Sequence, residues 1–283
     1  MNRIYLVEAA MSKKRKNITT FDRDRWRDDW LKNKEEGNYK PYFNTRDIAS
    51  SGNKHRVAGL KSGGRVHHLL STNEYFQFLH LEFDPNVKNI YDQYLLPLDE
   101  TKAIANELDV KHPKYQNSAG KPDSPVTTDF VVEYHTGVKR AISVKAKSAL
   151  KNNRTLEKQT LERAYWETNL TQWNMSLDVN LKTNMSINLE LLYPFKVLEP
   201  IVFYEVLSSK WLPNFFACLS EHPDLPLSEV IEMAANNIGV EYKTSANLFF
   251  NAIWNHLIIF DFNKILQLEM SANELEVMPN DCH

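Results

Sequence analysis

Two alternating runs rich in β-branched residues, Thr128–Tyr134 (TDFVVEY) and Val138–Lys147 (VKRAISVKAK), are separated only by His135-Thr136-Gly137. Alternation with a period of two marks half-buried strands, and a three-residue link carrying a glycine marks a hairpin. If Tyr134 pairs with Val138, the register sets Asp129 opposite Ser143, with Cβ atoms ~5 Å apart. Lys145, two residues further on, then shares the face of Ser143. A loop one residue longer or shorter would break this pairing, so everything said about the trio depends on that turn.

The flanking segments supply partners for such a hairpin. Thr20-Phe21-Asp22 opens a charged helix over residues 21–36, with Trp26 and Trp30 on one face and Gly37 as its stop. Residues 1–20 read as loosely ordered, and 38–66 as loop, with Ser51-Gly52 and Gly63-Gly64 as turn signals. Ser71-Thr72-Asn73-Glu74 starts a helix running to Phe83, Asn89–Leu96 reads as a strand, and Asp99–Leu108 as a short helix. A polar loop over 109–126 precedes the hairpin; a helix over Thr155–Thr168 and strands at Trp173–Val179 and Ile187–Leu192 follow it. Helices interleaved with a hairpin and further strands predict an α/β core around a mixed sheet. Beyond residue 200 the order changes to three helices, Pro200–Leu219, Ser228–Ile238 and Thr244–Asn255, and then a strand–turn–strand over His256–Met270 pivoting on Asp261–Lys264. That is the order of a winged-helix module.

Charge divides the chain more sharply than its formal net of -2 suggests. Residues 1–70 carry 16 Lys and Arg against 8 Asp and Glu, whereas residues 191–283 carry 4 against 12. A basic front suits a polyanion, since phosphate neutralisation supplies most non-specific nucleic-acid affinity. An acidic module is a poor DNA reader, so the last segment is expected to bind protein; solvated surface of either sign is the plainer alternative. The charge step, with Pro194 and Pro200 near it, suggests domains at 1–190 and 191–283. Two cysteines, Cys218 and Cys282, make no CxxC or disulfide framework. No apolar run reaches the ~18 residues of a membrane span, and the basic cluster follows the first apolar run, the reverse of a signal peptide. A cytoplasmic protein without a membrane partner is expected.

Convergence of Asp129 and Lys145 suits metal-dependent phosphodiester hydrolysis. A carboxylate matches the hard-oxygen preference of Mg²⁺, and an ammonium orients water or offsets charge on the phosphate. The competing reading is a surface ion pair on a half-exposed hairpin. Glu74 offers a second carboxylate, although Ser71-x-x-Glu74 is also a capping box with Leu70 and Tyr75 as a hydrophobic staple. His67 and His68 are adjacent and point apart with no cysteine nearby, so they read as packing or phosphate-contacting residues rather than a zinc site. Glu162 is either a helix-surface residue or a group standing behind the hairpin. No Gly-rich phosphate loop and no GxSxG motif are present, which removes nucleotide hydrolysis and serine-hydrolase chemistry.

Several strings occur together in one order: Ser50-Ser51-Gly52-Asn53-Lys54-His55-Arg56, Gly64-Arg65-Val66-His67-His68-Leu69-Leu70-Ser71, Lys111-His112-Pro113, Thr128-Asp129-Phe130, Val144-Lys145, Arg154-Thr155-Leu156-Glu157-Lys158 and Leu161-Glu162-Arg163-Ala164-Tyr165-Trp166. Over residues 40–175 they resemble TnsA, the endonuclease subunit of heteromeric cut-and-paste bacterial transposons. The resemblance implies a restriction-endonuclease-like mixed-sheet core of the PD-(D/E)XK type, followed by a C-terminal helical winged-helix-like domain. It implies Mg²⁺ as cofactor, with Mn²⁺ able to substitute, and cleavage of the 5′ strands of transposon-end DNA. A TnsB-like transposase would act on the 3′ strands, and a TnsC-like ATP-dependent regulator would engage the C-terminal part. Carried over residue by residue, the catalytic set is Glu74, Asp129 and Lys145, with Glu74, Asp129, Ser143 and Val144 around the metal and Glu162 in support. Ser143 stands where the family has Gln, so the shorter hydroxyl would reach a metal poorly or through water. Lys54, Arg56, Lys61, Arg65, His67 and Lys111 are the expected DNA contacts. Two rivals remain: a stand-alone restriction or repair nuclease, and a DNA-binding, regulator-docking subunit whose chemistry has decayed at Ser143.

Overall fold

A computed structural model of the chain describes residues 17–47, 52–116 and 118–280. The expected loose stretch up to residue 16, Ser50 and Ser51, and Cys282 lie outside the described residues. The chain divides into two compact units, Met1–Asn180 and Leu181–His283, ten residues ahead of the charge step.

In the first unit, helix α1 (Thr20–Glu35) begins at Thr19, whose side chain and that of Asp22 cap each other's backbone reciprocally. Within and just beyond the stretch 38–66, expected as loop, two short antiparallel strands form, β1 (His55–Ala58) and β2 (Val66–Leu69). Their Lys, Arg and His content hides a strand pattern that exists because His67 and Leu69 are buried while Val66 is exposed. Helix α2 (Thr72–Phe83) follows, capped by Ser71, and leads into strand β3 (Val87–Leu95) and helix α3 (Leu98–Glu107). The hairpin comprises β4 (Thr127–Tyr134) and β5 (Lys139–Lys145), then helix α4 (Asn153–Thr168) crosses to β6 (Gln172–Leu177).

The four long strands make one sheet in the order β3-β4-β5-β6, antiparallel at the first two joints and parallel at the third. Tyr134 donates its N–H to the Val138 carbonyl across a loop whose Gly137 has φ +82°, a left-handed conformation that favours glycine. The register then runs from Glu133 opposite Lys139 to Phe130 opposite Ile142, as the alternation predicted. Val131 and Ala141, opposite one another, pack with Leu161, Tyr165 and Trp166 of α4 and with Ile104 of α3. Asp92, paired with Phe130, points to the other side, where His67 joins it and packs against Phe78 of α2. Helices therefore cover both sides of a mixed sheet, the α/β architecture expected.

The second unit starts within a single helical turn, α5 (Asp178–Leu181), and continues as α6 (Asn184–Leu192). The strand expected at Ile187–Leu192 is thus helical. Its short apolar run fits either period, and Thr183, which caps the Ser186 N–H, with buried Ser186, Leu189 and Leu192 selects the helix. Helices α7 (Ile201–Glu221), α8 (Leu227–Ile238) and α9 (Tyr242–Trp254) follow in the expected order. Trp211 and Phe215 of α7 and Phe249 of α9 form their aromatic centre. The Trp211 indole donates to Ser245 Oγ at 2.6 Å, and that hydroxyl donates to the Ile231 carbonyl at 2.8 Å.

The expected strand–turn–strand over His256–Met270 is only half present. Strand β7 (Ile258–Ile259) and the turn at Asp261–Lys264 form, but no strand follows within the predicted span. Ser271 and Glu274 instead cap helix α10 (Ala272–Leu275), and β7 pairs with β8 (Met278–Pro279). The Asn188 side chain explains the loss. Its amide accepts the Leu266 N–H at 2.9 Å and donates to the Lys264 carbonyl at 2.7 Å, occupying backbone groups that a strand partner would use.

Candidate active site

The β4–β5 ladder stops at Phe130 opposite Ile142, and beyond it the strands are joined by a side chain. Asp129 Oδ2 accepts the Val144 N–H at 2.7 Å and the Lys145 ammonium at 2.7 Å; Ser143 Oγ stands 3.4 Å away. The same ammonium donates to the Val144 carbonyl at 2.9 Å. The hairpin reading thus brings Asp129, Ser143 and Lys145 together as derived. The alternative of an ordinary surface ion pair does not describe them, because Ser143 is fully buried and Asp129 and Lys145 are largely so.

Glu74 reaches this cluster from the first turn of α2, and its cap role and its place in the site coincide. Ser71 Oγ accepts the Glu74 N–H at 3.2 Å, while the Glu74 carboxylate accepts the Ser71 hydroxyl and the Leu70 N–H, each at 2.9 Å. A third donor, the Gln93 amide, lies 3.2 Å from Oε2. Burial, reinforced by the nearby Asp129 charge, lifts the Glu74 carboxyl to about 8 against the pull of the Leu70 and Ser71 donors and of Lys145. Glu162, on the inward face of α4 rather than its surface, is raised to about 7 by burial, with Lys145 opposing and Asp129 adding to the shift. Its Oε1 has no hydrogen-bond partner among the described residues. Burial works against the charge on Lys145, yet Asp129, Glu162 and Glu74 together outweigh it and hold the ammonium above its ordinary range. Asp129 thus bonds this ammonium directly, while Glu162 and Glu74 act on it through space.

Sequence reasoning missed Gln93, which is buried, sits at φ +49° and donates to Glu74. A signal existed: Asp92-Gln93 puts consecutive polar residues, hence both faces, into the otherwise apolar run Ile90–Leu96. Asp92 belongs to a second buried cluster. Its Oδ1 lies 2.9 Å from the Arg65 guanidinium and 2.8 Å from His67 Nδ1, and its Oδ2 accepts the His68 N–H at 2.8 Å. His67 Nε2 is 2.9 Å from Ser62 Oγ.

The six expected DNA contacts separate accordingly. His67 is fully buried and cannot touch a nucleic acid, which corrects that assignment; the Asp92 carboxylate is what draws it inward. Arg65 is held by Asp92 and the Ile90 carbonyl, Lys61 by the Asp84 and Val87 carbonyls, and Lys54 by the Thr45 carbonyl. Arg56 and Lys111 are exposed. Among the described residues no set of three or more His, Cys, Asp or Glu gathers closely enough to hold a metal, and no helix is long and apolar enough to cross a membrane.

Residues 84–177 match the family described as TnsA-like endonuclease N terminal. The chain is 37% identical over 163 residues to the Escherichia coli protein "Transposon Tn7 transposition protein TnsA", covering 57% of this chain and 58% of that one. It thus spans somewhat over half the length of this relative. The matched domain contains Asp129, Ser143, Lys145 and Glu162, whereas Glu74 precedes it. On these grounds the chain is similar to TnsA over somewhat more than half its length, and residues 84–177 match the TnsA-like endonuclease N-terminal family.

Proposed function

We propose that this protein is a Mg²⁺-dependent DNA endonuclease subunit of a transposition machine, cutting the 5′ strands at transposon ends. The observation that carries the reading is the Asp129 carboxylate bridging the Val144 N–H and the Lys145 ammonium where the sheet opens, inside the TnsA-like region. The order α2, β3, α3, the β4–β5 hairpin, α4 and β6, with three antiparallel strands and a parallel fourth in one sheet, supports a restriction-endonuclease-like core around it.

The donors present fit a hard dication. All are oxygens: Glu74, Asp129, the Val144 carbonyl and, more distantly, the Ser143 hydroxyl. Two carboxylates with the remaining positions left to water and phosphate is how Mg²⁺ is commonly held, and Mn²⁺ suits the same set. The raised Glu74 carboxyl, in part a response to the Asp129 charge, is the repulsion that a cation between them would relieve. A bound dication would supply Lewis-acid polarisation of the scissile phosphate and a more acidic water.

The chain's own groups do the rest. Lys145, fixed by Asp129 and the Val144 carbonyl, presents its ammonium to offset charge on the phosphate or orient the attacking water. Asp129, with smaller contributions from Glu162 and Glu74, keeps that ammonium protonated. The exposed Arg56 and Lys111 are assigned to the DNA backbone, with Lys54, Lys61 and Arg65 bracing the loops beside them. A TnsB-like transposase would act at the 3′ strands, and the acidic C-terminal unit would dock a TnsC-like regulator in the cytoplasm.

End-labelled transposon-end DNA, incubated with the protein, its transposase and regulator in Mg²⁺, tests this. A 5′-strand break near the end, absent with Asp129→Ala, is expected; equal cutting by both proteins would overturn the reading. A second reading, a catalytically weakened subunit, is favoured by one observation. Ser143 is fully buried with its hydroxyl turned toward Asp129, so it offers little to a metal. In that case complexes assemble, wild type does not cut, and Ser143→Gln restores cleavage.

A further inference from the structure

A cleft of about 640 Å³ lies in the first unit, lined by the end of α1, residues 37–40, strand β3, the hairpin end of β5 and the end of α4. It is separate from the Asp129 site. Lys139, at its edge, is six residues along β5 from Lys145, or ~20 Å at strand spacing.

The lining has a specific chemistry. It contains Lys34, Lys40, Arg65 and Lys139 and no Asp or Glu. Arg65 is neutralised by Asp92, whereas Lys34 donates at 2.6 Å to the Tyr94 hydroxyl and lies 4.7 Å over the Tyr94 ring, with no ion pair among the described residues. Lys40 and Lys139 are exposed; Glu133, opposite Lys139 in the ladder, bonds Lys88 at 2.9 Å and the Tyr91 hydroxyl and also feels the Lys139 charge, so Lys139 shares that carboxylate with Lys88. Between these cations stand aromatic rings. Tyr39 stacks with Tyr94, meets Tyr91 edge-on at 5.0 Å, and carries the Arg65 guanidinium 4.7 Å above its ring, with Trp166 beside Tyr94.

A simple anion has no use for the rings, and an apolar ligand has no use for the lysines. Planar rings flanked by cations recognise a base carrying a phosphate. We propose that this cleft binds one nucleotide, its base against the Tyr91 and Tyr94 wall and its phosphate at Lys40 and Lys139. The nucleotide is either free or an unpaired residue of a DNA strand, and the shared chemistry is that of a nucleoside phosphate.

The test uses the full chain in EDTA, so that it is independent of cleavage at Asp129. Binding of dTMP, of an octamer of deoxythymidine and of inorganic pyrophosphate is measured by calorimetry, for wild type and for Lys40→Ala/Lys139→Ala. Binding of dTMP or the octamer, weakened about tenfold or more in the double variant (~1.4 kcal/mol), with pyrophosphate clearly weaker, is expected. Equal affinity for dTMP and octamer identifies a free nucleotide; octamer binding alone identifies an unpaired strand. Pyrophosphate binding as well as dTMP, an undiminished double variant, or no binding by either nucleotide probe overturns the proposal. Both substituted lysines are exposed, and unchanged circular dichroism separates loss of the site from loss of fold.

Discussion

Gln93 donates to Glu74 Oε2 at 3.2 Å from a position in β3 where its own backbone has φ +49°. A non-glycine residue in that region costs about 1–2 kcal/mol, so the surrounding structure must hold it there. Part of that hold is visible: the Gln93 carbonyl accepts the Tyr42 N–H at 3.1 Å, and the side chain is buried. Gln93 is therefore argued to be a positioning residue for Glu74.

Two substitutions separate its strain from its bond. Gln93→Gly removes both, and relief of the left-handed backbone should offset part of the lost contact. Gln93→Ala keeps the strain and loses the donor, so it should melt lower than Gln93→Gly by about 1 kcal/mol. Both should require more Mg²⁺ for half-maximal cleavage than wild type. Unchanged metal dependence in both would show that the bond serves only the fold.

The raised carboxyls of Glu74, about 8, and Glu162, about 7, set a pH dependence of stability. Each has its ordinary value near 4.5 when unfolded, so between that value and 7 to 8 the folded chain binds more protons than the unfolded one. Stability contributed by these groups is then greatest at low pH and falls as pH rises through this window. Metal-free protein should show a falling Tm from pH 5 to pH 8.5. Glu162→Gln should flatten the fall below about pH 7 and exceed wild-type stability at pH 8 by a few kcal/mol, roughly. A rising Tm across the same range would contradict the assignment.

How much of this was readable in the chain depends on the range of the forces involved. The β4–β5 register follows from local alternation and one turn, so Asp129, Ser143 and Lys145 could be brought together from spacing alone. Glu74 showed its capping role but not its partner, because Gln93 arrives from another element. His67 read as part of a basic surface, since nothing local announces that Asp92, twenty-five residues later, buries it. Ile187–Leu192 failed for a simpler reason: a six-residue apolar run has too few turns to distinguish a helix from a strand. The side-chain bridge from Asn188 that prevents a second strand after β7 is likewise invisible to periodicity.

Gly59 is where the buried His67 cluster is least tolerant. A Cβ there would lie 2.6 Å from His67 Nε2 and 2.7 Å from Glu82 Oε1, both on buried side chains. Gly59→Ala must push the imidazole or the carboxylate out of place, with a destabilisation of about 1–3 kcal/mol. Urea denaturation of the variant should show a lower midpoint at an unchanged slope. An unchanged midpoint would mean that the cluster relaxes more freely than its burial implies.

Removing either end of the Asp129–Lys145 pair should have different consequences. Asp129→Ala leaves the Val144 N–H without its acceptor, a cost of about 1–3 kcal/mol, but it also removes the charge that helps raise Glu74. Glu74 can then ionise more readily and balance Lys145, which limits the loss. Lys145→Met leaves Asp129 its Val144 donor and takes away the cation that opposes the rise of both carboxyls. Glu74 and Glu162 should then titrate higher still, and stability should fall most steeply above neutral pH. Divalent cation should consequently raise the Tm of Lys145→Met more than that of wild type, although cleavage drops by about 10²–10⁴-fold. Asp129→Ala should lose both cleavage and most of the cation-induced stabilisation. Thermal melts of the three proteins with MgCl₂ and with EDTA decide the matter. Equal cation responses in wild type and Asp129→Ala would place the metal elsewhere, and a weaker response in Lys145→Met would mean that its ammonium helps to hold the ion rather than competing with it.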